Sequence, residues 1–346
     1  MNTLIDTSPG LATPPATAAA AAVHHYTLPV PDARQRTLAR TWLWLGLLAL
    51  IGSGVFSILL VLARTPGLNR WLPVADFFRV ALVVHVDLSV LVWFAAMAGM
   101  LWSLNASARG GRWNWAALAL CGLGTALMSL GAFIAPGAPI MANYIPVLEG
   151  PLFLTGLVTF GAGFTVQVVG SLLSAPRLGG AIDGTRALRF GLNASAVSAG
   201  IAVIAFAWSL AVVPTALAGK AYYEILFWGG GHALQFAWTL LMLVGWLCLA
   251  HACGARIPLS PRLALLMFAL ALVSVFVTPY AYLAHDVATV EHRNLHTWAM
   301  RFGGGVAILP VALAVVLAIL PLRDVAATAR PLRAARVVLT NPIDPE

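Results

Sequence analysis

The chain has 346 residues, of which 60% are hydrophobic and 9% are charged, and its formal net charge at pH 7 is +8. This composition excludes an ordinary soluble domain and predicts a polytopic membrane protein whose main partner is the lipid bilayer. It also argues against nucleic-acid binding, because the Lys and Arg residues lie in short links between apolar runs, where positive charge sets membrane topology.

The first 38 residues are rich in Ala, Thr and Pro and lack a long apolar run. They predict a disordered tail, and no basic start followed by an apolar core indicates a cleaved signal peptide. Residues 39–321 predict an all-α transmembrane bundle of about eight spans, since each apolar segment is long enough to cross a bilayer as a helix. A second cytoplasmic tail is expected at 322–346. The predicted spans are 39–63, 77–104, 114–136, 144–174, 190–217, 222–250, 262–290 and 294–321.

The distribution of positive charge predicts the orientation of these spans. With the N-terminus in the cytoplasm, 14 of the 20 Lys and Arg residues lie on the inner side and 6 on the outer side. The cytoplasmic loops of membrane proteins carry the excess of positive charge. We therefore expect a bacterial inner-membrane protein with both termini in the cytoplasm.

Five histidines are predicted to lie in the outer half of the membrane: His85 in the second span, His232 in the sixth, His285 near the end of the seventh, His292 in the following link and His296 in the eighth. An ionisable side chain inside a membrane is costly without a partner and by default marks a functional site. His232 follows three glycines, Gly229 to Gly231, which allow a bulky group to approach the backbone. The alternative is a packing surface, where small residues let helices touch and a histidine hydrogen-bonds to a neighbour.

Neutral imidazole is a ligand of haem iron and of copper, so this layer predicts a redox-metal site. Two histidines on facing helices suffice for a haem, and three hold a copper ion. His85 is predicted as a haem ligand, with His296 as a second candidate, while His232, His285 and His292 are predicted as metal ligands. Four aromatic side chains are available to line a flat macrocycle: Trp93, Trp228, Phe236 and Trp238.

Acidic side chains near these histidines are candidate acceptors that would orient an imidazole, namely Asp87, Glu149, Asp286 and Glu291. Solvation at the membrane interface is the alternative role. Asp87 points to a different helix face from His85, and Arg79 is a candidate partner for it. The inner halves of the spans carry no obvious Asp, Glu or Lys, so the sequence does not support proton pumping.

Two motifs resemble the haem-copper oxidase subunit I superfamily, which includes cytochrome c oxidases and nitric oxide reductases. They are HVDLSVLVWFAAMAGM in the second span and WGGGHALQF in the sixth. The resemblance implies that His85 is an axial ligand of a low-spin haem and that His232 binds the active-site copper. It also implies electron transfer with reduction of oxygen or nitric oxide, and a cytochrome c donor or other respiratory-complex subunits as partners.

The chain departs from this family in several respects. The family core has twelve helices, with an adjacent His-His pair on the seventh and the remaining haem ligands on the tenth, and the chain is expected to end before that helix. Phe236 replaces the tyrosine that follows the sixth-helix histidine, and Tyr280 or Tyr282 is a candidate substitute. No catalytic residue is therefore assigned. The leading hypothesis is a short haem-binding redox protein. A copper- or haem-handling protein or sensor, and a transporter with packing histidines, are the alternatives.

Overall fold

The computed structural model describes residues 24–29, 32–72, 76–107 and 111–320. Apart from one short hairpin, the regular structure of these residues is helical. Eight of their helical stretches are long and apolar enough to cross a membrane, so the fold is that of a multi-pass, all-α membrane protein. The predicted tail before residue 24 and the C-terminal tail at 322–346 lie outside the described residues.

Five of the spans are single helices and three are composite. The single helices are α1 (Ala33–Arg64), α4 (Gly111–Gly131), α5 (Pro151–Leu173), α6 (Gly184–Val212) and α7 (Gly219–Ala252). The second span consists of α2 (Phe77–Val86), a π-helical turn (Asp87–Val92) and α3 (Trp93–Asn105). The seventh span consists of α8 (Pro261–Val275) and α9 (Val277–Ala284), and the eighth of α10 (Val290–Gly303) and α11 (Gly305–Ile319).

The first helix begins earlier than the sequence predicts. Asp32 and Gln35 form a capping box, in which each side chain accepts a hydrogen bond from the backbone N–H of the other residue. This cap starts α1 at Ala33, six residues before the predicted start of the first span at residue 39. Upstream of the helix, Tyr26 is buried and its hydroxyl donates to the carbonyl of Leu259 at 2.7 Å.

Close backbone packing joins neighbouring spans, as in α4 against α5. A Cβ on Gly124 would lie 2.5 Å from the backbone nitrogen of Phe160, and one on Gly163 would lie 2.8 Å from that of Cys121. Helices in membranes associate through such small residues, since lipid supplies no hydrophobic driving force between them. These glycines therefore let the backbones of α4 and α5 pack directly against each other.

The connection between α4 and α5, residues 132–150, is the part of the fold that hydropathy does not indicate. It contains an antiparallel hairpin in which β1 (Pro139–Ile140) pairs with β2 (Val147–Leu148). The fourth span was predicted to begin at residue 144, but α5 begins at Pro151, because proline is favoured in the first turn of a helix. Tyr144 therefore belongs to a loop, which carries it into contact with α7.

Candidate metal centre

Three of the five predicted histidines meet inside the bundle. His232 lies on α7, and His292 and His296 lie on α10. The ring centroids of His296 and His292 are 4.7 Å apart, and those of His296 and His232 are 5.3 Å apart. The three residues are 4%, 1% and 1% exposed, in chain order. We call these three residues the histidine cluster.

The local sequence explains why α10 presents two histidines to the cluster. Thr289 caps the helix by accepting a hydrogen bond from the backbone N–H of His292, at 3.3 Å. His292 was predicted to lie in a link, but the cap places it in the first turn of the helix. His296 follows four residues later and therefore lies on the same face. His296, the second candidate haem ligand, lies between His292 and His232.

Hydrogen bonds fix which nitrogen carries the proton in two of the three rings, those of His232 and His296. The Nδ1 of His232 lies 2.7 Å from the carbonyl oxygen of Trp228, and the Nδ1 of His296 lies 2.9 Å from that of His292. A carbonyl only accepts, so both Nδ1 atoms are donors, and in the neutral ring the lone pair is on Nε2. Such second hydrogen bonds hold metal-binding histidines in the required tautomer and orientation.

Several nitrogens of the cluster are buried without a partner. Among the residues that the structure describes, the Nε2 of His296 and both ring nitrogens of His292 have no hydrogen-bond partner. A buried polar atom without a partner costs about 1–3 kcal/mol, and most such atoms in proteins are paired. The described residues therefore leave three buried ring nitrogens of the cluster without a hydrogen-bond partner.

The cluster is not closed into a coordination shell. Within the described ranges, no three His, Cys, Asp or Glu side chains are arranged so that they enclose a metal ion. At His232, the Nε2 is 2.9 Å from the hydroxyl oxygen of Tyr144. Burial raises the pKa of Tyr144, so the phenol stays protonated and donates to this nitrogen. The three imidazoles are residue types that fit a metal ion, and the Nε2 of one of them, His232, is occupied by the hydrogen bond from Tyr144.

The three glycines before His232 receive three aromatic rings. A Cβ on Gly229 would collide with Tyr282, one on Gly230 with Phe206 and one on Gly231 with Tyr144. This confirms the expectation that bulky groups approach the bare backbone at this point. Both tyrosines then reach the histidines.

Tyr282, one of the two tyrosines suggested by the resemblance, lies against the cluster. Its ring centroid is 4.8 Å from that of His292, and its hydroxyl is 2.6 Å from the Ser209 hydroxyl. Tyr280 is 59% exposed. Tyr144 was not predicted as a site residue, because its position depends on the path of a loop and no motif in the sequence indicates it.

A cavity of about 740 Å³ lies beside the cluster, between the second span and α7. Phe94 and Trp238 stack at its wall with ring centroids 5.7 Å apart. Two of the four predicted aromatic residues, Trp228 and Trp238, line it, whereas Trp93 packs against Gly46 of α1. Its lining residues are Val86, Val90, Leu91, Phe94, Asn143, Tyr144, Ile145, Trp228, Gly231, Leu234, Gln235, Trp238, Thr239, Met242 and Met300.

His85 occupies a separate position on the other side of the second span, facing α1. Its Nδ1 lies 3.0 Å from the carbonyl oxygen of Ser53, and the hydroxyls of Ser53 and Ser57 are at 2.9 and 3.1 Å. The Nδ1–H donates to the carbonyl, which leaves the lone pair on Nε2. No hydrogen bond to that Nε2 is made by any described residue, so one nitrogen is fixed and the other is available.

The remaining predicted residues lie outside both sites, although His285 and Asp286 are close enough to His292 to interact with it electrostatically. His285 ends α9 half-buried, and among the described residues its ring packs against no other imidazole. Glu149 and Glu291 are exposed, and Asp286 accepts from the backbone of Ala288. No acidic side chain of the described chain accepts a hydrogen bond from an imidazole.

Asp87 differs from these acids because it is 1% exposed. Neither of its carboxylate oxygens has a hydrogen-bond partner in the described part of the chain. The predicted pairing with Arg79 is wrong, because the Arg79 guanidinium lies 3.5 Å from the carboxylate of Asp76 at the helix end.

Comparisons with known proteins give relatives without a described role. No protein-family model and no solved structure matches the chain. It is 25% identical over 323 residues to an uncharacterized protein of Rickettsia prowazekii, and 26% identical over 267 residues to one of Aquifex aeolicus. These matches cover 83% and 77% of this chain but 62% and 65% of the relatives, so the chain spans less than two thirds of their length. The resemblance to the oxidases stays a prediction.

Proposed function

We propose that this is a bacterial inner-membrane redox protein that binds copper at the histidine cluster and haem through His85. The observation that carries the proposal is the cluster itself, with buried imidazole nitrogens that no described residue satisfies. A bound metal ion would satisfy them, and imidazole is a favoured ligand for copper. The proposal accords with the oxidase-like motifs around His85 and His232.

The charge balance of the cluster favours copper in its cuprous form. Three neutral imidazoles supply the donors, and the carboxylate near them, that of Asp286, is exposed and accepts from the backbone of Ala288. A buried ion without a counter-charge is costly, and the cost grows with its charge. A monovalent ion is therefore easier to bury here than zinc or another divalent metal.

The haem half of the proposal depends on His85. The Ser53 carbonyl orients the His85 ring, which is how proteins commonly hold an axial ligand. Trp228 and Trp238 line a cavity of about 740 Å³ next to the same span, within the usual size of a cofactor pocket. His85 faces α1 on the other side of the span and does not line that cavity, so a haem bound by His85 would not lie in it.

The chemistry follows from what such groups supply when bound, which is a one-electron redox couple. The chain's own residues hold the imidazole lone pairs in place, exclude water from the cluster and keep the Tyr144 phenol protonated beside it. Electron transfer is therefore the proposed activity, with oxygen or nitric oxide as the acceptor suggested by the resemblance. A cytochrome c or a respiratory-complex subunit is the corresponding partner.

A copper-handling protein without haem is the second candidate, and one observation favours it. Among the described residues, no second imidazole ring packs against His85, whereas the copper cluster has its three histidines in contact. The copper half of the site is thus more complete than the haem half. The two candidates share the cluster and differ only at His85.

Purified full-length protein separates these candidates. Metal analysis is expected to give one copper per chain, and a reduced-minus-oxidised visible spectrum is expected to show a low-spin haem. His232→Ala should remove the copper, and His251→Ala, at the far end of the same helix, should change neither signal. Copper without haem supports the second candidate, and the absence of both contradicts the proposal.

A further inference from the structure

We propose that Tyr144 is a latch on the histidine cluster. Its hydroxyl holds the nitrogen of His232 that a metal ion would bind, and the ion is bound only when the Tyr144 ring moves away. This inference rests on the proposed copper site and adds the step that opens it.

The Tyr144 hydroxyl lies where a metal ion bound to His232 would lie. The Nδ1–H of His232 is engaged by the Trp228 carbonyl at 2.7 Å, so Nε2 is the nitrogen left for a ligand. The Tyr144 hydroxyl oxygen lies 2.9 Å from it. A metal–imidazole bond is about 2.0 Å long, so an ion on that lone pair would lie only about 1 Å from the present oxygen position. The hydroxyl has to move before the ion binds.

The backbone of Tyr144 has an unusual conformation. Its φ is +69°, in the left-handed region that bulky side chains rarely adopt. Such conformations persist only where the surrounding structure imposes them, and they occur at functional sites and switches. Here the imposing contact is with Gly231, where a Cβ would collide with the tyrosine ring. The closed position is therefore maintained by tertiary contacts against the local preference of the chain.

The cavity beside Tyr144 provides the space into which its ring can move. Tyr144, Asn143 and Ile145 form part of the wall of the cavity of about 740 Å³. The ring thus separates the cavity from the cluster and contacts His232 on its other side, at a centroid distance of 4.8 Å. A turn of the ring into the cavity would release Nε2 without separating the helices.

The latch predicts a gain of binding when the hydroxyl is removed. Cuprous ion, buffered by a competing chelator, is titrated into full-length protein in detergent, and loading is followed in time. Tyr144→Phe keeps the ring and deletes only the hydrogen bond, so copper should bind about fivefold more tightly, as expected from the net value of one hydrogen bond, and load faster. Tyr280→Phe, an exposed tyrosine on α9, is the matched control and should behave as the parent protein.

The outcomes distinguish the latch from the site on which it rests. If copper binding depends on His232 but Tyr144→Phe leaves affinity and loading rate unchanged, the latch is wrong and the site stands. Weaker binding by Tyr144→Phe also overturns the latch, since it would make the hydroxyl a supporting group for the ion. Loss of His232-dependent binding altogether contradicts the proposed function. The hydrogen bond itself is tested in copper-free protein by the infrared C–O stretching band of the Tyr144 phenol, which is identified by its absence from Tyr144→Phe. His232→Ala should shift this band, and an unshifted band would exclude the hydrogen bond.

Discussion

The two histidine sites of the bundle are built in opposite ways. His85 is half-buried, and one of its nitrogens is within 3.1 Å of three oxygen atoms from α1. His292 is 1% exposed, and neither of its nitrogens has a partner among the described residues. The first ring is oriented by a neighbouring helix and keeps one nitrogen available. The second is buried at a cost that the described protein does not offset.

The difference between the two sites separates histidines that packing explains from histidines that indicate a bound ligand. A buried histidine with satisfied nitrogens is explained by packing alone. A group of buried rings with unsatisfied nitrogens requires something else to bind there, because each such atom costs about 1–3 kcal/mol.

Removing the His85 ring should abolish one spectroscopic signal completely. His85→Ala deletes the proposed axial ligand, so the low-spin haem band should disappear while copper content stays at the parental level. The physical reason is the separation of the two sites, since His85 faces α1 and makes no contact with the cluster. A retained low-spin band in a stably inserted variant would show that His85 has no such role. Loss of copper in the same variant would show that the two sites are one.

Replacing a cluster histidine by an apolar residue should separate stability from binding. His292→Leu removes two unsatisfied buried nitrogens, so the free energy of unfolding of the copper-free protein should rise by about 2–6 kcal/mol. The same change should lower copper affinity more than about 100-fold, since the loss of supporting groups alone costs 10–100-fold. Thermal unfolding with and without copper measures both effects. His251→Leu is the control, and a destabilised copper-free His292→Leu protein with normal copper binding contradicts the account.

A smaller effect is expected from a methyl group on the glycine that seats Tyr144. Gly231→Ala should destabilise the protein by about 1–3 kcal/mol, the usual cost of overpacking, because its Cβ collides with the tyrosine ring. Gly245→Ala on the same helix meets nothing within 4 Å and should be neutral or stabilising by up to about 1 kcal/mol. Chemical unfolding of the two variants provides the comparison. Equal stabilities would show that Tyr144 does not depend on this seat.

Hydropathy locates the spans of this protein because apolar length is what a bilayer selects, and eight of the described helical stretches meet that requirement. It misplaces His292, because the polar run Glu291 to Asn294 resembles a link. The cap at Thr289 and the four-residue spacing to His296 were the signals for a helix with two histidines on one face.

Other parts of the site could not be predicted from the sequence. Tyr144 reaches His232 through a loop and lies far from it along the chain, and no local pattern encodes such a contact. The grouping of His296 with His232 depends on how α10 packs against α7, which residue spacing within a span does not determine. The sequence indicates which residue types are costly in the membrane, and the tertiary fold decides which of them meet.

X-ray absorption of the copper-loaded protein tests whether the histidine cluster binds the copper. Three imidazole nitrogens are expected at about 2.0 Å from the copper, as in other metal–histidine sites. His296→Ala should remove one of them or abolish binding, and His85→Ala should leave the spectrum unchanged. A copper site with sulfur or carboxylate ligands, or a spectrum that is the same in His296→Ala, would contradict the assignment of the histidine cluster as the metal centre.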